Sequence, residues 1–157
     1  MRNYVARTSL CALLLALQAG CASRAQPIYR YIDVTGGQLC IGEPFTRHDI
    51  ARAIDDTTFA LNPGTFGGGG TRQITLTTDA RGVISAMTFV YDGSEDFDTK
   101  VDDYRKSLGA PRDTSRTPQG GRRYLWEDES TRFELVLAPN AEPAFWSRLV
   151  DRRRPAR

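Results

Sequence analysis

Hydrophobic residues are concentrated first at residues 10–17, where eight consecutive apolar side chains follow the basic residues Arg2 and Arg7. Eight residues are too few to span a bilayer, and a basic start followed by such a short apolar run is typical of a secretory signal peptide. Small residues close the run just before Cys21. We therefore predict that residues 1–20 are a signal peptide and that the mature chain is exported.

Three pairs of segments further along the chain show the apolar and polar alternation that predicts β-hairpins. Residues that favour turns separate the two members of each pair, for instance Gly36 and Gly37 in the first. The pairs are residues 28–34 with 38–41, 72–78 with 83–91, and 122–127 with 131–137. We expect each pair to form two adjacent antiparallel strands.

A first helix is predicted over residues 46–54. Thr46 is a candidate N-cap, and Asp49 follows three residues later, which together match a capping box. Phe45 is placed to pack against Ile50, as in a hydrophobic staple.

Two more segments carry apolar residues at helical spacing. Residues 95–108 have acidic residues in the predicted first turn and end at a glycine and a proline, which favours a helix over this range. Residues 142–152 predict a last short helix. Its apolar residues are Phe145, Trp146, Leu149 and Val150.

The predicted elements after the first hairpin follow the order helix, hairpin, helix, hairpin. We expect an α+β fold, in which two helix-plus-β-hairpin units form an antiparallel sheet with helices on one face, a two-layer sandwich. In this scheme residues 1–20 are the signal peptide, 21–27 a tether, 28–140 the α+β domain and 141–157 a C-terminal helix and basic tail.

Charge argues against one class of partner. The chain has 21 basic and 19 acidic residues, and since Arg2 and Arg7 leave with the signal peptide, the mature chain would carry 19 of each. Recognition of nucleic acid needs a concentrated basic surface. We therefore expect no nucleic-acid partner.

The cysteines bear on how the mature chain is held in the cell envelope. Cys11 leaves with the signal peptide, so Cys21 and Cys40 remain. Ala19-Gly20-Cys21 resembles a bacterial lipobox, with Gln18 where that motif usually carries leucine. The resemblance implies that Cys21 becomes the first mature residue and carries lipid, including palmitate.

The same resemblance implies sorting to the outer membrane with the domain facing the periplasm, because Ala22 rather than aspartate follows the cysteine. Two alternatives remain open. An ordinary signal peptide cut after Ala22 or Ala25 would give a soluble periplasmic protein. A disulfide between Cys21 and Cys40 would replace the lipid anchor.

Two further motifs resemble a family of small envelope lipoproteins. Residues 40–46, Cys-Ile-Gly-Glu-Pro-Phe-Thr, are similar to the Ile-Gly-Met-Ser/Thr helix entry of the SmpA/OmlA group, which includes a subunit of the β-barrel assembly machinery. Leu108-Gly109-Ala110-Pro111 before Trp126 resembles that group's Leu-Gly-x-Pro and aromatic strand. The tandem arrangement is also similar to the β-lactamase-inhibitor-protein fold. Over residues 39–138 these resemblances imply a protein that binds other proteins and seldom catalyses.

No motif in the chain predicts catalysis. His48 is the only histidine, and no Gly-x-Ser-x-Gly elbow accompanies it. A calcium-loop frame fails because Phe97 stands where the turn glycine is needed; its candidate ligands are Asp92, Ser94, Asp96, Asp98 and Asp103. We expect no catalytic residue, no metal and no cofactor.

The predicted function is therefore that of a non-enzymatic envelope lipoprotein, a periplasmic protein-binding module that assists envelope assembly. Its partners would be the membrane, through lipid on Cys21, and another periplasmic or envelope protein. Candidate binding residues lie in turn-rich loops, in the last predicted helix and in the basic tail. They are Phe66, Gly67, Arg116, Trp146, Arg152 and Arg153.

Two other classes of function remain as alternatives. The loops at residues 62–70 and 113–121 are long and rich in small and polar residues, as in periplasmic inhibitors or immunity proteins that block a toxin or hydrolase. A small-ligand carrier or enzyme would instead need a pocket where aromatic residues converge with polar groups. The candidates for such a pocket are Tyr91, Tyr104, Tyr124 and Trp126.

Overall fold

The computed structural model describes residues 27–67, 70–93, 96–139 and 145–154, so the predicted signal peptide and Cys21 lie outside the described residues. Within these ranges the chain forms ten strands, one α-helix and one 3₁₀ turn. The strands are β1 (Tyr31–Val34), β2 (Gly37–Cys40), β3 (Ala51–Ala53), β4 (Thr58–Leu61), β5 (Thr71–Thr78), β6 (Ile84–Tyr91), β7 (Asp113–Arg116), β8 (Arg122–Glu127), β9 (Thr131–Leu137) and β10 (Phe145–Asp151). The helix is α1 (Phe97–Leu108), and the 3₁₀ turn is His48–Ile50.

Strands β3 to β10 form one antiparallel sheet in the order β3-β4-β5-β6-β10-β9-β8-β7, and β1 pairs with β2 in a separate hairpin. Strands β3 to β6 meander to make one half of the sheet, and β7 to β10 make the other. The halves meet where β10 pairs with β6, for example Leu149 opposite Met87. The last described strand therefore lies in the middle of the sheet.

The hydrophobic core lies on one face of this sheet. Helix α1 covers part of that face with Phe97, Val101 and Leu108, all of which are buried. The ring of Phe97 meets that of Phe145 in β10 edge to face, with the centroids 5.1 Å apart. The β1–β2 hairpin and the segments on either side of it add apolar residues to the same cluster, such as Val34 from β1 and Phe45 from the segment that follows.

Polar contacts attach the hairpin to the sheet. The carboxylate of Asp151 at the end of β10 is 1% exposed and accepts a hydrogen bond of 2.9 Å from the guanidinium of Arg30. The backbone N–H of Gly42 donates to the carbonyl oxygen of Ile84 at 2.8 Å. A buried carboxylate needs such a partner, because an unpaired charge in the interior costs several kcal/mol.

Helix α1 confirms the prediction over residues 95–108, and its ends have clear causes. The carboxylate of Asp96 accepts hydrogen bonds from the backbone N–H groups of Asp98 and Thr99, which caps the first turn. Gly109 ends the helix with a φ of 83°, a conformation that favours glycine. The three predicted hairpins are also confirmed, as β1–β2, β5–β6 and β8–β9.

The helix predicted over residues 46–54 is wrong. The chain makes one 3₁₀ turn and then β3, in which Ala51 lies opposite Leu61 and Ala53 opposite Phe59 of β4. The residue before the turn is Arg47, which forms no side-chain cap and instead bonds to Asp49. Pairing with β4 supplies the backbone hydrogen bonds that the predicted helix would have supplied internally.

The helix predicted over residues 142–152 is also wrong, because Phe145–Asp151 is the central strand β10. The core-facing residues of β10 are Phe145, Ser147, Leu149 and Asp151. Because two of the four are polar, the sequence does not show the apolar and polar alternation that predicts a strand. Ser147 is satisfied by the hydroxyl of Tyr91, at 2.7 Å.

These two corrections overturn the predicted fold class. The described residues form a mostly β protein, one eight-stranded antiparallel sheet with a two-stranded hairpin and a single α-helix, and not two helix-plus-hairpin units. No helix within the described ranges is long and apolar enough to cross a membrane.

Candidate functional site

The sheet face opposite α1, which we call the open face, has neither the helix nor the hairpin on it. Strand β10 shows the two faces clearly, since its buried residues Phe145 and Leu149 belong to the core. The residues between them in sequence, Trp146, Arg148 and Val150, are only half-buried and point to the other side because side chains alternate along a strand. None of these three residues belongs to the core cluster on the other face.

An apolar band runs across the middle of the open face. Trp146 lies between Val90 of β6 and Val136 of β9, and Val150 lies opposite Ala86. Ala86 and Val136 are buried by their neighbours, while Trp146 and Val90 keep part of their surface accessible. A partly exposed tryptophan in an apolar setting is typical of the centre of a protein interface.

Ion pairs fill the half of the open face formed by β8 and β9. The guanidinium of Arg123 donates to Glu134 at 2.8 Å, and this hydrogen bond raises the pKa of Arg123. Burial favours the neutral form of Glu127, yet its hydrogen bond from Arg132, of 2.7 Å, and the charges nearby hold the pKa of its carboxyl below the ordinary value. Arg112 pairs with the same carboxylate. Both glutamates are therefore neutralised by arginines of this sheet.

The other half of the open face is uncharged over most of its area. The edge strand β3 contributes the exposed Arg52, opposite Ala60. The other residues come from β4, β5 and β6, where they alternate with core residues and are mostly threonines. They are Thr58, Ala60, Gln73, Thr75, Thr77 and Thr88. Hydroxyl groups in this arrangement can donate or accept hydrogen bonds to a docked partner.

Arg148 lies between the two halves, opposite Thr88 on β6 and Glu134 on β9. Its Nε atom is buried and has no hydrogen-bond partner among the described residues. The ion pairs found in this part of the chain do not include Arg148 either. A half-buried cation without a partner therefore lies beside the apolar band.

The structure does not bring the predicted binding residues together. Trp146 is central on the open face, although it is there as a strand residue and not on a helix. Arg116 is exposed at the end of the edge strand β7. Phe66 forms a backbone bridge with Val34 at the hairpin, and Gly67 beside it is exposed.

The two predicted tail residues are occupied with structural contacts. Arg152 donates a hydrogen bond from its guanidinium to the carbonyl oxygen of Asp128. Arg153 pairs with Asp151 at 3.4 Å. The sequence predicts Arg148 only as part of the C-terminal helix and basic tail, because its position on the open face depends on β10 being a strand, and the buried Ser147 and Asp151 conceal that pattern.

The aromatic residues proposed for a ligand pocket do converge, but mainly within the packed core. Tyr104 lies 6.0 Å from Trp126 between ring centroids, and the hydroxyls of Tyr91 and Tyr104 are 3.2 Å apart. A cleft of about 150 Å³ between α1 and the hairpin borders only Tyr104 of this group and is rimmed by Tyr29, which is 66% exposed. The loop predicted over 113–121 begins with strand β7, so the expected inhibitor-like loop is shortened.

A second groove, of about 450 Å³, lies at the 3₁₀ turn and includes His48. The imidazole meets the rings of Phe45 and Phe59 with centroids 4.9 and 5.5 Å away. Asp79 on its rim already accepts the backbone N–H groups of Arg81 and Val83. Among the described residues, no hydrogen bond joins His48 to a serine, threonine or cysteine side chain, as a hydrolytic centre would need.

The acidic residues of the calcium-loop frame are engaged in other roles. Asp96 caps α1, Asp98 pairs with Arg122 at 2.6 Å, and Asp103 pairs with Lys106 at 3.1 Å. Ser94 lies outside the described residues. Over the described ranges, no three His, Cys, Asp or Glu residues are grouped so that they could hold a metal ion.

Comparison with known proteins adds one distant structural likeness. No family model and no curated protein matches the chain. Among solved structures it is similar to a DUF4309 family protein (YjgB) from Bacillus subtilis subsp. subtilis str. 168, with a TM-score of 0.43 and 13% sequence identity over 71% of this chain and 73% of that one. A likeness at this level carries no argument about function.

Proposed function

We propose that this protein is a non-enzymatic protein-binding module of the bacterial cell envelope, and that the open face is its docking surface. The main support is the arrangement of the sheet. Among the described elements, α1 and the hairpin pack on one face, and the other face is left open. An antiparallel sheet can have one solvated face. A sheet face that only contacts water is expected to be polar, but the open face has an apolar band around Trp146.

The proposal includes export and a lipid anchor on Cys21 at the outer membrane, with a soluble periplasmic form as the alternative. The basic start, the short apolar run and the small residues before Cys21 support it. Intact mass spectrometry of the mature protein tests it. A diacylglyceryl and N-acyl mass increment on a chain beginning at Cys21 would support the anchor, and a bridge between Cys21 and Cys40 would contradict it.

Site-specific crosslinking in the native host tests the docking surface. A photoreactive amino acid is placed at Thr75 or Val90 on the open face, and at Asp102 on the solvent side of α1 as the matched control. We expect one discrete adduct from the open-face positions and none from Asp102. Adducts of the same size from all three positions would show contact without specificity and would contradict the proposal.

A substitution at the centre of the face provides a second test. Replacing Trp146 by Ala should abolish the adduct formed from Val90, because a central tryptophan contributes about 2 kcal/mol or more to many interfaces. The far-UV circular dichroism of the variant must match that of the parent protein. An unchanged adduct yield in a folded Trp146→Ala variant would exclude the apolar band as the docking surface.

A further inference from the structure

We infer that the partner presents a carboxylate to the open face, and that Arg148 is the residue that binds it. This inference rests on the proposed function, since it names the chemistry of the segment that docks. The partner is a protein segment in which an aspartate or glutamate lies beside an apolar side chain. The apolar side chain would contact Trp146, which precedes Arg148 by two residues on the same side of β10.

The first support is the pairing of the charges around Arg148. Glu134 lies directly opposite it on β9 but bonds to Arg123 at 2.8 Å. Glu127, the next acid across the sheet, is 5% exposed and is held by Arg132 and Arg112. The nearby acids are thus already neutralised, and Arg148 is left with a positive charge that they do not balance.

The second support is the setting of the guanidinium. Its Nε atom is shielded from solvent and has no partner among the described residues, so it lacks the hydrogen bonds that water or protein would normally supply. A partner that covers the apolar band would also remove water from the part of the Arg148 side chain that is still accessible. Covering an unpaired cation is costly unless the partner brings an anion, which selects for an acidic segment.

The geometry of arginine explains why the anion is a carboxylate. A guanidinium presents a planar set of donors that matches the two oxygens of a carboxylate. Fixing the arginine side chain on binding costs less conformational entropy when part of that side chain is already restricted by its neighbours. Arg148 is half-buried between Thr88 and Glu134, which restricts its stem. Arginine and tryptophan are also the residues most enriched at the energetic centres of interfaces.

Peptide selection on the purified, detergent-solubilised mature protein tests the inference with defined probes. Random 12-residue peptides are selected from a displayed library, and the tightest binders are synthesised and titrated by calorimetry. We expect the binders to share an Asp or Glu next to an apolar residue. The affinity of these peptides should fall at least about tenfold for Arg148→Gln and also fall for Arg148→Lys, which keeps the charge but loses the planar donor pair.

Two controls separate the outcomes. Lys106 is an exposed cation of α1 on the other side of the sheet, and Lys106→Gln should leave the affinity unchanged. Replacing the acidic residue of a peptide by its amide should weaken binding to the parent protein but not to Arg148→Gln, as expected for two groups that contact each other. Far-UV circular dichroism and urea midpoints confirm that each variant is folded.

Failure of the inference about Arg148 can be distinguished from failure of the open face as a docking surface. Binding that is lost in a folded Val90→Glu variant but unchanged in Arg148→Gln would keep the open face as the docking surface and overturn the role of Arg148. Binding unchanged in both variants would overturn the docking surface too. Recovery of binders without acidic residues, or of no binders, would contradict the inference that the face selects a carboxylate.

Discussion

At the scale of single residues, the ion pair between the partly exposed Arg30 and the buried Asp151 ties the segment before β1 to the end of β10. Asp151 is almost fully buried, and it contacts both Arg30 next to the hairpin and Arg153, two residues further along the chain. Replacing Asp151 by Asn leaves the Arg30 charge without its partner, which typically costs about 3 kcal/mol or more when the pair is buried.

We therefore predict that Asp151→Asn lowers the free energy of unfolding by about 3 kcal/mol. Urea denaturation followed by tryptophan fluorescence measures it. The matched control is Asp49→Asn, which breaks the exposed pair with Arg47 and should change stability little. Equal losses in the two variants would show that burial does not strengthen the Asp151 contact.

A second residue, Asp128, makes stability depend on pH. Burial opposes ionisation of its carboxyl, but backbone N–H groups of Ile28, Ser130 and Thr131 donate to it at 2.7 to 2.9 Å and hold its pKa below the ordinary value. A carboxyl with a lower pKa in the folded state stabilises the fold above its unfolded pKa, about 3.9, and loses this contribution as pH falls through the folded value.

The expected result is a urea midpoint that falls as pH is lowered from about 5 to 2, with a shallower fall in Asp128→Asn than in the parent protein. Urea titrations at half-unit pH steps measure it. The exposed neighbour Glu129 gives the control, because Glu129→Gln should keep the steeper fall. Parallel curves for the parent protein and Asp128→Asn would refute this origin of acid sensitivity.

At the scale of elements, Gly121 shows how closely two strands approach. Gly121 lies immediately before β8, and a Cβ atom there would be 1.8 Å from the carbonyl oxygen of Leu137 at the end of β9. We predict that Gly121→Ala destabilises the protein by about 1 to 3 kcal/mol, as overpacking does. Thermal unfolding compares it with Gly67→Ala, which has open space around it and should be close to neutral. A stable Gly121→Ala variant would contradict the predicted clash.

The elements that the sequence predicts correctly are those whose pattern is not interrupted. Strands β5 and β6 alternate visibly, and α1 has a capping aspartate at Asp96 and a terminating glycine at Gly109. The two wrong helix predictions concern segments whose structure is determined by contacts with residues far away in the sequence. Residues 51–53, after the 3₁₀ turn, pair with β4 instead of continuing as an α-helix. The polar residues Ser147 and Asp151 are buried in β10 because Tyr91 and Arg30 satisfy them.

The candidate site follows the same rule. Trp146 was predicted as a binding residue from its apolar character, and it does lie on the open face. Arg148 belongs to the predicted C-terminal helix and basic tail, but its position beside Trp146 depends on β10 being a strand, and its lack of a partner among the described residues depends on Glu134 bonding to Arg123. The sequence within a few residues of Arg148 indicates neither of these two conditions. The residues at the centre of the open face could therefore be identified only from the three-dimensional structure.

At the scale of the whole molecule, the two halves of the sheet depend on β10, which pairs with β6 on one side and β9 on the other. We predict that a chain ending at residue 144 does not fold, since both inner edges would be left unpaired. Far-UV circular dichroism and urea titration should show no cooperative transition. A chain ending at Arg154 retains β10 and is the control. Cooperative unfolding of the shorter chain would show that one half folds alone.

The position of β10 also sets when the protein can be completed during its biosynthesis. Residues 145–151 are synthesised after the other seven strands of the sheet, yet they occupy its centre. Until they arrive, β6 and β9 each present an unpaired edge of the kind that associates with other chains. Synthesis of the chain therefore passes through a stage in which two incomplete half-sheets are exposed to aggregation, and this stage ends when β10 is added.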